Sequence, residues 1–322
     1  MSLSRPHARA DRFLAWTRLP SRATLRVLKS ISIKNQSLFA GLALMLLLPS
    51  CGRDESKIGS RNANGTLIRA VKSDFSDIRV RENGSVRNLI FVEPSGLEVR
   101  QSSIDLKQPG RLMLGYSEVM FGSYLFKHPQ ERVLVVGLGG GAMVQFINHH
   151  FPATKVDAVE IDPVVVGLAG EFFVMKPSAS TRIFTEDAIV YLQRDHGRYD
   201  VIYMDAFLEP GDETDQGGIP KKLKTVDFLK GLHRQLNPGG VVAFNVVEHP
   251  ELARDLETIA EAFPTVYTAQ VPGTRNQVVI ASPDPQRRSS EDLLNAGQQL
   301  DRELRMGFSF GGLAKLLEQR GR

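Results

Sequence analysis

The chain has a single cysteine, Cys51, in 322 residues. An intrachain disulfide is therefore excluded, and no Cys/His spacing suggests a zinc site. Histidine adds little, because His149 and His150 are adjacent and cannot share a helix face. No metal is expected. Long apolar runs are scarce too. The strongest, residues 38–48, falls well short of the roughly 20 residues a membrane-spanning helix needs. A net excess of positive charge is lacking outside one region. The formal net charge is +4, but residues 1–36 carry eight Lys and Arg against one Asp, which leaves −3 for the rest. Nucleic-acid binding by the rest is accordingly not expected. No internal repeat is evident.

What stands out instead is glycine in one place. Val133, Leu134, Val135 and Val136 read as a buried strand, followed by Gly137-Leu138-Gly139-Gly140-Gly141-Ala142. Glycine lets the backbone turn sharply and approach a ligand with no Cβ in the way. Residues 145–150 read as the start of the next helix. About 20 positions on, Val159-Glu160-Ile161-Asp162 ends a second strand with a carboxylate placed to accept two ribose hydroxyls. Strand, glycine turn, helix and acidic partner together read as a nucleoside site.

The loop fits two templates. Gly137, Gly139 and Ala142 satisfy the dinucleotide pattern; Gly137, Gly139 and Gly141 satisfy the G-x-G-x-G pattern of S-adenosylmethionine enzymes. Downstream, Arg182-Ile183-Phe184 is a short strand followed by Glu186-Asp187-Ala188, where Asp187 could accept from an adenine amino group. Residues 199–204 form another strand, ending at Asp205. A helix is expected to run to Leu236, and Asn237-Pro238-Gly239-Gly240 turns into a strand over 241–247. The alternation predicts an α/β fold, a doubly wound, mostly parallel sheet with ligand at the carboxyl ends of its strands. Gly139, Glu160, Asp187 and Asp205 all fall at such ends.

With Gln101-Ser102, Tyr116-Ser117-Glu118, His128-Pro129 and the motifs above, residues 65–282 resemble the polyamine aminopropyltransferases, the spermidine synthases and their bacterial relatives. The resemblance implies that decarboxylated S-adenosylmethionine donates an aminopropyl group to a di- or polyamine. It implies that Glu160 holds the ribose, Asp187 with Ala188 the adenine, and Gln101 the cofactor tail. Asp205 and Tyr116 would hold the attacking amine as the catalytic pair, and dimers are common in the family. Two positions depart from its pattern. Gly140 stands where an Asp usually contacts the aminopropyl end, and Leu208 stands where a second Asp usually follows the catalytic one. Both remove negative charge near a cationic substrate, so methyl transfer from ordinary S-adenosylmethionine becomes a competitor.

Residues 1–52 read as a basic leader with a signal- or anchor-like segment. Leu48-Pro49-Ser50-Cys51 resembles a bacterial lipobox, so one expectation is a membrane tether through residues 38–51 with lipid on Cys51. The other is an uncleaved leader on a cytoplasmic enzyme, which a cytoplasmic cofactor favours. Residues 53–65 read as a linker, 66–115 as a small β domain with an Asn83-Gly84 hairpin turn, 116–282 as the Rossmann-like domain, and 283–322 as a helical tail. Residues 207–220, with Glu209, Asp212, Glu213 and Asp215, read as an acidic lid that would attract a polycation. Three functions remain open: aminopropyl transfer, methyl transfer, and a tethered binding module without turnover.

Overall fold

The computed structural model describes residues 58–320. The basic leader, the apolar run and Cys51 lie outside them, and so does the expectation of lipid attachment. No described helix is long and apolar enough to cross a membrane.

An antiparallel sheet comes first: β1 (Arg61–Asn62), β2 (Gly65–Lys72), β3 (Asp77–Asn83), β4 (Val86–Val92) and β5 (Glu98–Asp105), neighbours in that order. The stretch expected as a linker thus supplies an edge strand and the first residue of β2. Gly65 is needed there, because a Cβ would lie 2.4 Å from the Glu82 carbonyl oxygen. The β3–β4 turn falls one residue later than expected. Asn83 pairs with Val86, so Gly84 and Ser85 make the turn. Gly84, at φ +63°, takes the first central position, where a type II′ turn requires a left-handed residue.

The larger unit then unfolds in order: α1 (Gly115–Met120), β6 (Arg132–Val136), α2 (Ala142–His150), β7 (Lys155–Glu160), α3 (Pro163–Phe172), β8 (Thr181–Thr185), α4 (Ala188–Leu192) and β9 (Tyr199–Met204). There follow α5 (Val226–Leu232), β10 (Leu236–Val247), α6 (Leu252–Ala262), β11 (Thr265–Gln270), β12 (Asn276–Ser282), α7 (Ser290–Leu304), α8 (Phe310–Leu316) and β13 (Glu318–Gln319). The helix expected to reach Leu236 stops at Leu232, and one 3-10 turn joins it to β10. Helix α2 begins three residues before the expected start, because Gly141 at φ 78° serves as its N-cap.

The eight strands run in the order β13-β11-β12-β10-β9-β6-β7-β8. Strands β6 to β10 are mutually parallel, and β12 enters antiparallel between β10 and β11. Strand β6 pairs with β7 on one side and β9 on the other. The strand order therefore reverses at β6, which opens a crevice at its carboxyl end. Alternate residues of β6 face opposite layers. Val133 and Val135 pack with α1, α2, α7 and α8; Leu134 and Val136 pack with α4, α5 and α6. Burial on both faces explains the unbroken apolar run. Ile78, Val80 and Leu89 of the small sheet pack on Val165 and Leu168 of α3. Asp162 caps α3 by accepting from Val164 N at 2.8 Å. It also accepts the Ser73 hydroxyl, at 2.5 Å, from the β2–β3 turn.

Candidate active site

The crevice is a cleft of about 420 Å³. Its floor is the end of β6, where each glycine of the loop has its own reason. Gly137, at φ +93°, leaves no room for a side chain: a Cβ would lie 2.1 Å from the Asp205 carbonyl oxygen. It lets the ends of β6 and β9 close together and also lines the cleft. Gly139, at φ +53°, would bring a Cβ no closer than 3.5 Å to Ser102, and it faces the cleft. Gly141 is not part of the wall. Its Cβ would meet the Met175 side chain at 2.6 Å, and it serves as the N-cap of α2.

Glu160 ends β7 as a buried carboxylate on the cleft wall. Its Oε2 accepts from Leu138 N at 2.9 Å and from Gly139 N at 3.4 Å, and its Oε1 accepts from Asp162 N at 3.1 Å. Burial raises its pKa, and the three backbone donors only partly oppose this. Asp187 and Ala188 also line the cleft. Asp187 doubles as the N-cap of α4, accepting from Ile189 N at 2.7 Å. Gln101 and Ser102 reach the cleft from β5 of the small sheet.

Asp205 follows β9 directly. Its Oδ1 accepts from Asn245 Nδ2 at 2.8 Å, and its Oδ2 accepts from the Tyr116 hydroxyl at 3.2 Å. Burial pushes its carboxyl up to about 7; the bonds from Asn245 and Tyr116 pull it down, and the Glu160 charge adds to the rise. Burial, followed by the Asp205 charge, holds the Tyr116 phenol well above its ordinary range. Tyr116 also lies 3.4 Å from the Gln101 carbonyl oxygen. Asn245 is itself held by Asn276 Nδ2 at 2.9 Å. Four elements, β5, α1, β10 and β12, thus fix one carboxylate. Sequence reasoning missed Asn245, although it is the one polar side chain in the apolar run of residues 241–247.

The acidic loop divides in two. Glu209, Asp212 and Glu213 line the cleft. Asp215 does not; it is buried, accepting from Gly217 N and Ile219 N and from Lys224 Nζ at 2.6 Å. With His249 and Asp255 it makes a group whose ligand-type atoms lie within 4.8 Å of one another. The Lys224 ammonium already bridges the two carboxylates, so the position a cation would take is filled by the chain. At Gly140 the backbone φ is ordinary, but a Cβ would lie 2.8 Å from the Phe173 ring and 2.9 Å from Ser102 Oγ. The side chain missing from this position has no space to occupy.

Residues 113–280 match the spermine/spermidine synthase domain. A polyamine aminopropyltransferase from Vibrio vulnificus is 33% identical over 221 residues, 67% of this chain and 72% of that one. An eEF1A lysine and N-terminal methyltransferase from Xenopus laevis is 28% identical over 310 residues, 80% of this chain but only 43% of that protein. Among solved structures, human methyltransferase-like protein 13 in complex with SAH superposes with a TM-score of 0.55 at 27% identity, covering 61% of this chain and 95% of that one. The cleft at the reversal of strand order, the carboxylates at its strand ends and these likenesses agree: the chain belongs to the spermine/spermidine synthase domain family, a family of transferases.

Proposed function

We propose that the chain transfers the aminopropyl group of decarboxylated S-adenosylmethionine to a nitrogen of a di- or polyamine. The observation that carries this reading is Asp205: a half-buried carboxyl at the switch of strand order, pushed up to about 7 and held by Asn245 and Tyr116. An adenosyl group suits the remaining wall. Glu160 and Asp187 offer carboxylate oxygens where ribose and adenine would lie, and Gly139 presents bare backbone.

Transfer from a sulfonium needs little activation, because the leaving thioether is neutral. The residues have to position a neutral amine in line with the carbon bonded to sulfur. Asp205 orients the amine and takes its proton, for which a carboxyl near neutrality is well matched. Tyr116, protonated throughout, steadies the carboxylate by donating to it. The C–N bond forms as the C–S bond breaks with its electron pair passing to sulfur, and methylthioadenosine is released. Glu209, Asp212 and Glu213 supply negative charge for the remaining ammonium groups of the acceptor.

Gly140 favours a second reading. No carboxylate stands at that corner, and Phe173 with Ser102 closes it. A co-substrate that keeps its own carboxylate is therefore not repelled there, which supports methyl transfer from ordinary S-adenosylmethionine. The test is product analysis by mass spectrometry, with each co-substrate supplied alongside putrescine and spermidine. Methylthioadenosine with a lengthened polyamine supports the first reading. S-adenosylhomocysteine supports the second, and no consumption of either co-substrate overturns the first and excludes these amines as acceptors for the second.

A further inference from the structure

Lys224 stands outside the cleft wall, yet it sits at the centre of a buried charge cluster. Its ammonium lies 2.6 Å from Asp215 Oδ2 and also contacts Asp255 Oδ2. His249 Nε2 lies 2.8 Å from the same Asp255 oxygen and 3.6 Å from Asp215 Oδ2. His249 Nδ1 accepts from Glu251 N at 3.3 Å, so Nε2 carries the proton that it gives to Asp255. Two carboxylates thus converge on one ammonium and one imidazole. The side chains of Asp215 and His249 are each only 3% exposed, so these charges are desolvated and their pairing is strongly coupled.

What the cluster joins gives it a role. Asp215 belongs to the acidic loop after β9, His249 follows β10, and Asp255 lies on α6. Asp215 Oδ1 accepts from both Gly217 N at 2.8 Å and Ile219 N at 2.9 Å, folding the returning limb of the loop around the carboxylate. Just beyond, Leu208 N donates to Gly218 O at 2.9 Å, which closes the loop at its neck. Gly218, at φ +89°, permits the crossing, since a Cβ there would lie 2.5 Å from the Leu208 carbonyl oxygen. The segment between neck and anchor carries Glu209, Asp212 and Glu213, all on the cleft.

We infer that Lys224 is a positioning residue: with Asp215, Asp255 and His249 it clasps the acidic loop to the α6 side of the sheet and so holds its cleft-facing carboxylates over the amine acceptor. The inference rests on the proposed amine substrate for its kinetic consequence, but not for its structural one.

The test uses the full chain with Lys224→Met, which keeps the length of the side chain and removes its charge. A companion, Lys224→Met with Asp255→Asn, removes one charge of each sign and covers the case in which the single variant does not fold. Hydrogen exchange over residues 208–220 should accelerate about tenfold or more, the effect expected from leaving a buried charge unpaired. KM for the amine should rise about tenfold while kcat and co-substrate affinity stay within about twofold, the signature of lost acceptor positioning. Unchanged exchange over 208–220 overturns the clasp. Faster exchange with an unchanged amine KM overturns the positioning role. If the unaltered chain transfers nothing to amines, the proposed function fails, and the exchange measurement still decides the clasp.

Discussion

Asp205 carries opposing demands. A carboxyl pushed up to about 7 by burial is a competent base at neutral pH, but its ionised form is costly to the fold. The unfolded value is near 3.8, so the native state holds its proton more tightly. Stability from this group is complete below about pH 4 and is lost as pH rises from there through about 7, above which the loss levels off. Asp205→Asn should therefore melt higher than the unaltered chain at pH 8, by up to roughly 4 kcal/mol, with the gain vanishing near pH 4. The amide fits the site: its oxygen can accept from Asn245, and its NH2 can donate to Tyr116, whose hydroxyl then turns to the Gln101 carbonyl. The same variant should lose activity by about 10²-fold or more, and kcat/KM of the unaltered chain should rise through pH 7 with one deprotonation. Melting scans and a pH–rate profile check both halves; a variant no more stable at pH 8 than at pH 4 would contradict the burial argument. Asp205, Glu160 and Asp187 were legible in the sequence because each ends or follows an apolar strand. Asn245 was not, since its partner comes from 40 residues away. Asp215 was misjudged because an acidic residue in a loop looks the same buried or solvated until the chain is folded.

The glycine loop sets the next scale. Its strand, turn and helix were readable from the pattern, but the separate reason for each glycine was not. Those reasons lie in neighbours brought in from other elements: Asp205 from the end of β9, Met175 after α3, and Ser102 from β5. Gly140 is the informative case, because ordinary backbone there would tolerate any residue and only Phe173 and Ser102 forbid one. Gly140→Asp alone should destabilise the chain by about 1–3 kcal/mol, as overpacking does. Combined with Phe173→Ala, the clash is relieved, although the emptied ring site carries its own cost. The expected outcome is a positive coupling between the two changes in thermal melting, and in the double variant a shift of binding preference towards the decarboxylated co-substrate in calorimetry. Additive effects would mean that Phe173 does not define this corner.

Across the whole molecule, the parallel order of β6 to β10 and the closing hairpin of β11 and β12 followed from the alternation of apolar runs and turn residues. The place of the tail did not. Residues 283–320 looked merely helical, yet α7 and α8 cover the α1–α2 face of the sheet, with Phe310 buried against Tyr124 and Phe308. Gly297 allows the two helices to touch, because a Cβ would lie 2.7 Å from the Gly311 nitrogen. Phe310→Ala should therefore cost about 3–5 kcal/mol in denaturant unfolding, far from the cleft, with co-substrate affinity unchanged in whatever fraction remains folded. A loss below 1 kcal/mol would mean that the tail is an appendage rather than part of the core.

The cleft draws its walls from both sheets, and this bears on how the molecule can be divided. A fragment cut at the limits of the family match, residues 113–280, would retain Asp205, Tyr116 and Glu160. It would lack Gln101 and Ser102 on β5, the Ser73 hydroxyl on Asp162, and the two helices over one face. Tyr116 would lose the carbonyl that shares its proton. The matched segment thus holds only part of the cleft, and a gene fusion or truncation that kept it alone would carry Asp205, Tyr116 and Glu160 without the enclosure around them.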